Sequence, residues 1–284
     1  MIKETEEPLL LAHGISCEEA FRRIALPFTA EIDAQLALFF GSDDPSGPHK
    51  ARVALRRLTT ALDAFAPILR KPVVRDFRRE AKEIFRLLGQ QRDADVYLAS
   101  LTDARKLRKV QAETDAVRAA LRVDLRKRQA VGFAPRLRQV IETAQMFRTT
   151  PKGHARRALR VETYANRALD EAWETCHDHG KDIARMNGRD QHEFRKDMKS
   201  LRYLTEFFAP LWPGPEQTVF HEQMQDLQDD LGHLNDLRNA KARGRKLSAE
   251  AERQAQATLS SAQAGWLALR AAPCWWPVEK DAEG

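Results

Sequence analysis

Apolar side chains recur at spacings of three and four residues along most of this chain. Such spacing places them on one side of an α-helix and leaves polar side chains on the other. Runs of β-branched residues, which are typical of buried strands, are missing. Glycine and proline, which interrupt helical patterns, number only 13 each among 284 residues. The pattern therefore predicts an all-α protein.

The first half of the pattern predicts five helices, whose limits are set by turn-forming residues. Ser16 is expected to cap the first helix, and Gly89 is expected to end the third. Residues 149–153 form the clearest linker, while residues 1–16 are interpreted as an N-terminal leader. The five helices are expected over residues 17–40, 48–66, 73–88, 93–128 (with a break near Leu107) and 134–148.

The second half predicts five more helices and a non-helical end. Asp190, with Glu193 three residues later, is expected to cap the helix that begins beside His192. Free N–H groups at that helix end favour an anion. Trp275 and Trp276 are expected to pack back onto the helices, since leaving two large rings in water is unfavourable. The helices are expected over residues 154–179, 191–209, 216–231, 234–246 and 249–271.

A shift of 143 residues aligns the two halves of the sequence without a gap over about 50 positions. We interpret this alignment as an internal duplication of a helical unit. Residues 17–148 and 154–284 are each expected to form an antiparallel helical bundle, related by an approximate two-fold within one domain over 17–284. The matched pairs include His49 with His192, Arg52 with Arg195, Phe65 with Phe208, Pro67 with Pro210, Gly89 with Gly232 and Asp93 with Asp236.

Both matched helices carry a histidine and several cations on the face opposite their apolar stripe. The next helix of the first copy adds four cations that are spaced four, three and four residues apart along one side. The second copy has Thr218, Glu222, Gln225 and Asp229 at those positions, so the basic surface lies mainly in the first half. The candidate polyanion contacts are His49, Lys50, Arg52, Arg56, Arg57, Arg75, Arg79, Lys82, Arg86, His192, Arg195, Lys196, Lys199, Arg202 and Tyr203.

The formal charge of +6 is unevenly distributed along the chain. Residues 1–48 carry 3 basic and 9 acidic side chains, and residues 161–284 carry 16 and 21. Between these segments, residues 49–104 carry 12 and 7, and residues 105–160 carry 16 and 4. The asymmetry favours a localised positive surface and an anionic partner, with a merely solvated helical face as the alternative for residues 105–160.

Cysteine usage and the N-terminus bear on the cellular compartment. Cys17, Cys176 and Cys274 include no C-x-x-C pair, so neither a disulfide framework nor a zinc ribbon is expected. The N-terminal apolar run is too short for a signal peptide or a membrane span. We therefore expect a cytoplasmic protein without a membrane partner.

Histidine and aspartate recur in both copies, which raises metal binding as an alternative. H-x-x-H and H-E-x-x-H spacings are absent, and the cations three and seven residues after each histidine repel a metal ion, so neither a metal nor another cofactor is expected. His177-Asp178, with His154 upstream, is similar to the pattern of metal-dependent all-α phosphohydrolases, which keeps such an enzyme as an alternative. No nucleophile constellation or glycine-rich phosphate loop is found, so a non-enzyme is expected.

Nucleic acid is the other alternative ligand, because the same cations neutralise any phosphate backbone. Proteins that bind single strands interleave exposed aromatic residues, on which the bases stack. This chain has only three tyrosines, and most of its phenylalanines fall on apolar helix faces. Binding to an RNA or DNA backbone therefore stays open as a second hypothesis.

Two ordered motif pairs resemble one known family. The pattern H-x-x-R-V-x-x-R-R-L from His49, followed by L-G-x-x-R-D-A-D-V from Leu88, resembles the conserved histidine α-helical domain, abbreviated CHAD. The pattern H-x-x-R-K-x-x-K-x-L-R-Y-x-x-E-x-F from His192, followed by L-x-x-x-L-G-x-L-N-D from Leu227, resembles the C-terminal half of that family. The resemblance covers essentially residues 17–271.

The resemblance implies a fold and a function. It implies two helical bundles around a basic central groove, binding of inorganic polyphosphate, and association with polyphosphate granules and their proteins. Members are often fused to a triphosphate-tunnel (CYTH-type) phosphohydrolase domain, but the E-x-E-x-K motif of that domain does not occur in this chain. A stand-alone, non-catalytic polyphosphate-binding module at granules in the cytoplasm is therefore expected.

Overall fold

The computed structural model of this chain describes residues 11–242 and 248–277. In these residues the backbone forms α-helices and short 3-10 turns, with a single isolated bridge between Leu69 and Phe147 and no sheet. The predicted all-α class is confirmed. The α-helices are α1 (Cys17–Gly41), α2 (Ser46–Ala64), α3 (Lys71–Ala99), α4 (Ala104–Lys127), α5 (Phe133–Glu142), α6 (Pro151–Ala158), α7 (Val161–Asp178), α8 (Gly188–Phe208), α9 (Pro215–Ala242) and α10 (Ala249–Ala271).

The chain divides into two compact units. We call residues 15–159 the N-unit, and residues 160–284 together with 1–14 the C-unit. Helix α6 belongs to the N-unit because its Arg157 forms an ion pair with Glu18 of α1, at 2.6 Å. The division therefore lies after Leu159, beyond the predicted linker at 149–153. The internal duplication itself stays a prediction.

Helix α1 forms the centre of the N-unit, packed between α2 and α5. Its Phe21 is fully buried and contacts the rings of Phe65 and Phe147 at centroid distances of 5.5 and 5.7 Å. Burying each such side chain contributes about 1.5–3 kcal/mol to folding. By length and hydropathy alone α1 is long and apolar enough to cross a bilayer. Its buried stripe instead identifies it as the core helix of this unit.

The core of the C-unit is rich in aromatic residues. The ring of Trp173 lies 5.6 Å from Phe220, 5.8 Å from Trp266 and 6.5 Å from Trp276, measured between centroids. Trp276 is only 2% exposed, and its indole N–H donates a hydrogen bond to Asp170 at 2.7 Å. The expected packing of the C-terminal tryptophans onto the helices is therefore confirmed for the described residues.

Two predicted helix ends at glycine are wrong. Helix α3 continues through Gly89 to Ala99, and α9 continues through Gly232 to Ala242. One glycine inside a helix costs only about 1 kcal/mol relative to alanine. Each glycine lies among good helix formers, and in α3 the side chains of Leu87 and Leu88 before Gly89 and of Gln91 and Asp95 after it are buried. Tertiary packing therefore outweighs the local preference.

Two further boundaries differ from the predictions. The helix expected over 154–179 is divided into α6 and α7, because the backbone at Leu159 and Arg160 is extended. Thr150, in the predicted linker, caps α6 by accepting a hydrogen bond from the N–H of Gly153. The break expected near Leu107 lies earlier, where the side chain of Asp103 caps α4. The predicted cap Ser16 is confirmed, since its hydroxyl accepts from the N–H of Glu19.

Candidate anion-binding site

Helices α2 and α3 form an antiparallel hairpin that carries most of the predicted site. Asp63 near the end of α2 forms an ion pair with Arg78 near the start of α3, at 2.7 Å. Arg52, earlier on α2, reaches Phe85 and Gly89 farther along α3. Arg52 and Arg56 therefore lie level with the second half of the α3 cation stripe, in the antiparallel arrangement expected of helices in one bundle.

Arg52 lies flat across α3. Its Nη1 donates a hydrogen bond to the carbonyl oxygen of Phe85 at 2.7 Å, and its guanidinium carbon lies 3.9 Å from the centre of the Phe85 ring. A Cβ atom on Gly89 would lie 2.2 Å from Nη1. Gly89 is therefore the residue that lets this guanidinium approach the helix backbone.

Three arginines lie close together near Phe85: Arg52, Arg56 and Arg92. The guanidinium of Arg56 lies 5.1 Å from the centre of the Phe85 ring. Partial burial lowers the pKa of Arg52, and the neighbouring charges of Arg56 and Arg92 add to this effect, while Asp93 opposes it. Within the described residues, neither Arg52 nor Arg56 forms an ion pair with a carboxylate. The cluster is therefore suited to a bound anion, which would relieve the repulsion.

His49 lies one turn before Arg52, on the exposed surface of α2. Its pKa is lowered from the usual 6.5 by desolvation first, and then by the charges of Arg92, Arg52 and Lys50. The ring is therefore mostly neutral at pH 7. A phosphate group next to it would favour the protonated form and raise the pKa again.

Arg92 is a site residue that the sequence analysis did not single out. It is half-buried on α3, and its charge acts on both His49 and Arg52. The sequence does contain an indication of its role, since Arg92 is the arginine of the L-G-x-x-R-D-A-D-V motif. It was missed because the helix was expected to end at Gly89, which would have separated Arg92 from the hairpin.

The cation stripe of α3 is on the surface, as predicted. Arg75 and Arg79 are both exposed and share Asp76, at 3.5 and 3.2 Å. Arg86 lies 3.3 Å from Glu83, and Lys82 is exposed without an ion pair in the described part of the chain. Exposed ion pairs of this kind contribute about 0–1 kcal/mol to the stability of the protein. Releasing these arginines from their neighbouring carboxylates therefore costs little stability.

The two other predicted contacts of α2, Arg57 and Lys50, lie in different places. Arg57 points toward α1, where its guanidinium lies 5.9 Å from the centre of the Phe28 ring. Its Nε atom is buried. Lys50 is half-buried and adds positive charge near His49. The structure thus groups His49, Arg52, Arg56 and Arg92, and sets Arg57 apart from them.

The start of α8 differs from the prediction. The helix begins at Gly188, and Asn187 caps it by accepting from the N–H groups of Arg189 and Asp190. Asp190 is therefore not the cap, and exposed His192 is the fifth residue of the helix. The free N–H groups that the sequence placed beside His192 are thus taken up by Asn187.

The remaining predicted contacts on α8 are distributed over several environments. Lys196 is exposed and pairs with Glu193 at 2.7 Å, while Arg195 and Lys199 are half-buried. Arg202 pairs with Glu206 at 2.9 Å and covers the ring of Tyr203. Tyr203 is only 3% exposed, so it belongs to the core and not to the exposed basic face.

Two of the alternatives, a metal-binding site and a metal-dependent phosphohydrolase, each depend on specific residues. In the part of the chain that the structure describes, no group of three His, Cys, Asp or Glu side chains is placed to hold a metal ion. His177, of the His-Asp dipeptide, lies in the aromatic core of the C-unit, 4.4 Å from the ring of Trp173 and 5.6 Å from Trp266. Desolvation lowers its pKa. This environment is typical of a packed histidine.

Comparisons with known proteins agree with this architecture. A solved structure, the CHAD domain from the plant Ricinus communis, has a TM-score of 0.66 and 24% sequence identity, covering 92% of this chain and 90% of its own. PptA from Streptomyces chartreusis has a TM-score of 0.50 and 13% identity, covering 91% of this chain and 98% of its own. Both likenesses concern the fold. No curated protein matches.

The comparison with family models is decisive for identity. The model of the CHAD domain matches residues 23–245, which include both histidine motifs and the complete α2–α3 hairpin. The match extends over most of the chain. This chain therefore belongs to the CHAD domain family.

Proposed function

We propose that this protein binds inorganic polyphosphate without catalysis, chiefly through the α2–α3 hairpin. The observation that carries the proposal is the cluster of Arg52, Arg56 and Arg92, in which Arg52 and Arg92 also act on His49. In it, the described residues place three guanidinium groups together, and neither Arg52 nor Arg56 pairs with a carboxylate. Family membership supports the same ligand class, since polyphosphate binding is what the resemblance to CHAD implies.

The chemistry of the ligand fits a surface of this kind. Polyphosphate is a flexible thread with a charge on each phosphate, so it is held by many repeated donors. Arginine offers a planar fork of N–H donors to phosphate oxygens, and lysine adds a mobile charge. The α3 stripe from Arg75 to Arg86 extends the central cluster by about 17 Å along the helix, at about 1.5 Å per residue.

The charge of the whole N-unit supports attraction of a polyanion. By sequence, residues 15–159 carry 29 basic and 17 acidic side chains, a net charge of +12. A localised positive field of this kind raises the rate at which an anionic thread arrives. On α8, the cations Arg195, Lys196 and Lys199 are proposed as additional contacts.

Polyphosphate is favoured over nucleic acid by the aromatic residues. Single-strand binders stack bases on exposed aromatic side chains. Among the large apolar side chains exposed in the described residues, Tyr97 is aromatic, and the others are valine or leucine. Tyr97 lies near the end of α3, so among these exposed side chains the hairpin offers charge and hydrogen bonds with one aromatic ring and not a series of rings.

A pair of charge-reversal variants tests the location of the site. Arg56→Glu/Lys82→Glu changes two exposed or half-exposed cations of the hairpin, and we expect its affinity for long-chain polyphosphate to fall by about tenfold or more. The control Arg105→Glu/Lys109→Glu changes two exposed cations of α4 by the same total charge. Titration with fluorescently labelled polyphosphate measures both. Equal losses in the two variants would mean that net charge, and not the hairpin, governs binding.

Non-catalytic action and location in the cell are parts of the same proposal. Incubation of the protein with polyphosphate and Mg²⁺ or Mn²⁺ is expected to release no orthophosphate above background. Steady, metal-dependent release would support the phosphohydrolase alternative.

In cells, a fluorescent fusion is expected at polyphosphate granules in the cytoplasm, and the Arg56→Glu/Lys82→Glu variant is expected to be diffuse.

A further inference from the structure

Helix α9 carries an acidic face that the proposed function does not use. Glu222, Asp226 and Asp229 are exposed and lie on one side of the helix, four and three residues apart. Among the described residues, no lysine or arginine forms an ion pair with any of the three, and Asp229 accepts a hydrogen bond only from neutral Gln225. Such a face repels polyphosphate and favours a cationic partner.

A depression of about 310 Å³ lies in this face, between α8 and α9. Its one arginine, Arg202, is already paired with Glu206. Desolvation lowers the pKa of His221, so this ring is mostly neutral at pH 7, and its Nε2 atom is buried without a hydrogen-bond partner. The net charge of the depression is therefore negative. It is lined by Arg202, Glu206, His221, Glu222, Gln225 and Asp226.

The complementary face is present on the same chain. Arg75, Arg79 and Lys82 of α3 are exposed and also lie four and three residues apart. Successive charges on both helices are thus separated by about 6 Å and about 4.5 Å along the helix axis. Two such helices, laid side by side, bring each carboxylate opposite a cation. An arginine or lysine side chain also carries the charge that the net negative depression favours.

We propose that the acidic face of α9 binds the cation stripe of α3 on a second copy of this chain. The contact joins two different surfaces, so it is heterologous and generates chains or rings of copies. A second copy is favoured over an unrelated basic partner because it supplies the opposite charges at the same spacing. The self-association does not depend on the proposed function.

Sedimentation velocity over a range of protein concentrations tests the proposal. The wild-type protein is expected to associate at about 50 mM salt and to dissociate at about 300 mM, since surface ion pairs are screened. Glu222→Lys/Asp226→Lys and Arg79→Glu/Lys82→Glu are each expected to weaken association by about tenfold or more. The variant with all four changes restores opposite charges and the wild-type net charge, and is expected to associate again.

A matched control separates this contact from a general effect of charge. Glu171→Lys/Glu174→Lys changes two exposed carboxylates of α7 in the same unit by the same total charge, and is expected to leave association unchanged. The proposal is overturned by a wild-type protein that stays monomeric at low salt, by a four-site variant that does not associate, or by a control that weakens association equally. A monomer at low salt would leave a different basic partner as the occupant of α9.

One consequence links the two proposals and rests on the proposed function. The α3 stripe cannot hold α9 of a neighbour and polyphosphate at once, so short-chain polyphosphate is expected to dissociate the copies. If charge exchange controls association but polyphosphate leaves it intact, self-association stands and use of the α3 stripe by polyphosphate is wrong. If polyphosphate binds but the wild-type protein is monomeric, only the self-association is wrong.

Discussion

At the residue scale, the site depends on how closely Arg52 approaches α3. Its guanidinium donates to the Phe85 carbonyl and lies against the phenyl ring, over the one helix position that lacks a Cβ. Arg52 was predicted from its place on the basic face of α2. Its anchoring could not be predicted, because a glycine inside a helical pattern is more simply interpreted as a helix end.

This contact predicts an unusual effect of Gly89→Ala. The new Cβ displaces the guanidinium, so we expect the affinity for polyphosphate to fall about three- to tenfold, the loss typical of one charged hydrogen bond. The free energy of unfolding is expected to change by less than about 1 kcal/mol, because the helix gains from alanine what the lost hydrogen bond costs. Polyphosphate titration and urea denaturation measure the two effects.

Gly232→Ala is the matched control at the corresponding position of α9. No atom lies within 4 Å of the Cβ position at Gly232. We expect this variant to stabilise the protein by about 0.5–1 kcal/mol and to bind polyphosphate like the wild type. A similar loss of affinity in both variants would show that the effect of Gly89→Ala does not act through Arg52.

The lowered pKa of His49 gives a prediction about pH. His49 has a lower pKa in the folded protein than in the unfolded chain, so the unfolded chain binds the proton more readily. The contribution of His49 to stability is therefore complete above the unfolded pKa of about 6.5 and is lost as the pH falls through the folded pKa. Bound polyphosphate favours the protonated ring, so we expect the ligand to raise the pKa of His49. NMR titration of the ring protons, with His49→Gln to assign the signal, measures the change. An unchanged pKa would place the phosphates away from His49.

At the element scale, α3 joins the surface site to the core of the N-unit. On its buried side, Asp95 forms an ion pair with Arg118 of α4 at 2.8 Å and accepts a hydrogen bond from Gln91 at 2.7 Å. All three side chains are buried. Asp95 is the second aspartate of the L-G-x-x-R-D-A-D-V motif, but the pattern alone could not show which of the many arginines it meets, because Arg118 lies 23 residues away on another helix.

The buried pair predicts a difference between two aspartates of one motif. Asp95→Ala removes the close carboxylate of buried Arg118 and leaves it only Asp43, which is 74% exposed and 3.8 Å away. We therefore expect a loss of about 3–5 kcal/mol in the free energy of unfolding. Asp93→Ala, two residues earlier at an exposed position, is expected to cost less than about 0.5 kcal/mol. Urea denaturation of both variants measures the difference. Equal effects would contradict a structural role for the pair.

At the scale of the whole molecule, the two compact units differ in charge. By sequence the N-unit carries a net charge of +12, whereas residues 160–284 carry 17 basic and 21 acidic side chains.

The all-α class, the α2–α3 hairpin and most cations of the site were predictable, since each depends on local periodicity. The burial of Tyr203 and the orientation of Arg57 were not, because the packing of neighbouring helices decides both and the periodicity of a single helix does not show it.

The basic surface of the N-unit is proposed to be a polyphosphate site and not a general phosphate-backbone site. The most direct test of this proposal compares the wild type with Arg52→Glu/Arg195→Glu. For each protein, the affinities for long-chain polyphosphate and for single-stranded RNA of equal charge are measured at physiological salt. We expect the wild type to bind polyphosphate about tenfold or more tightly than RNA, and the variant to lose most of its polyphosphate binding. Equal affinity for the two polymers, or undiminished binding by the variant, would contradict the claim.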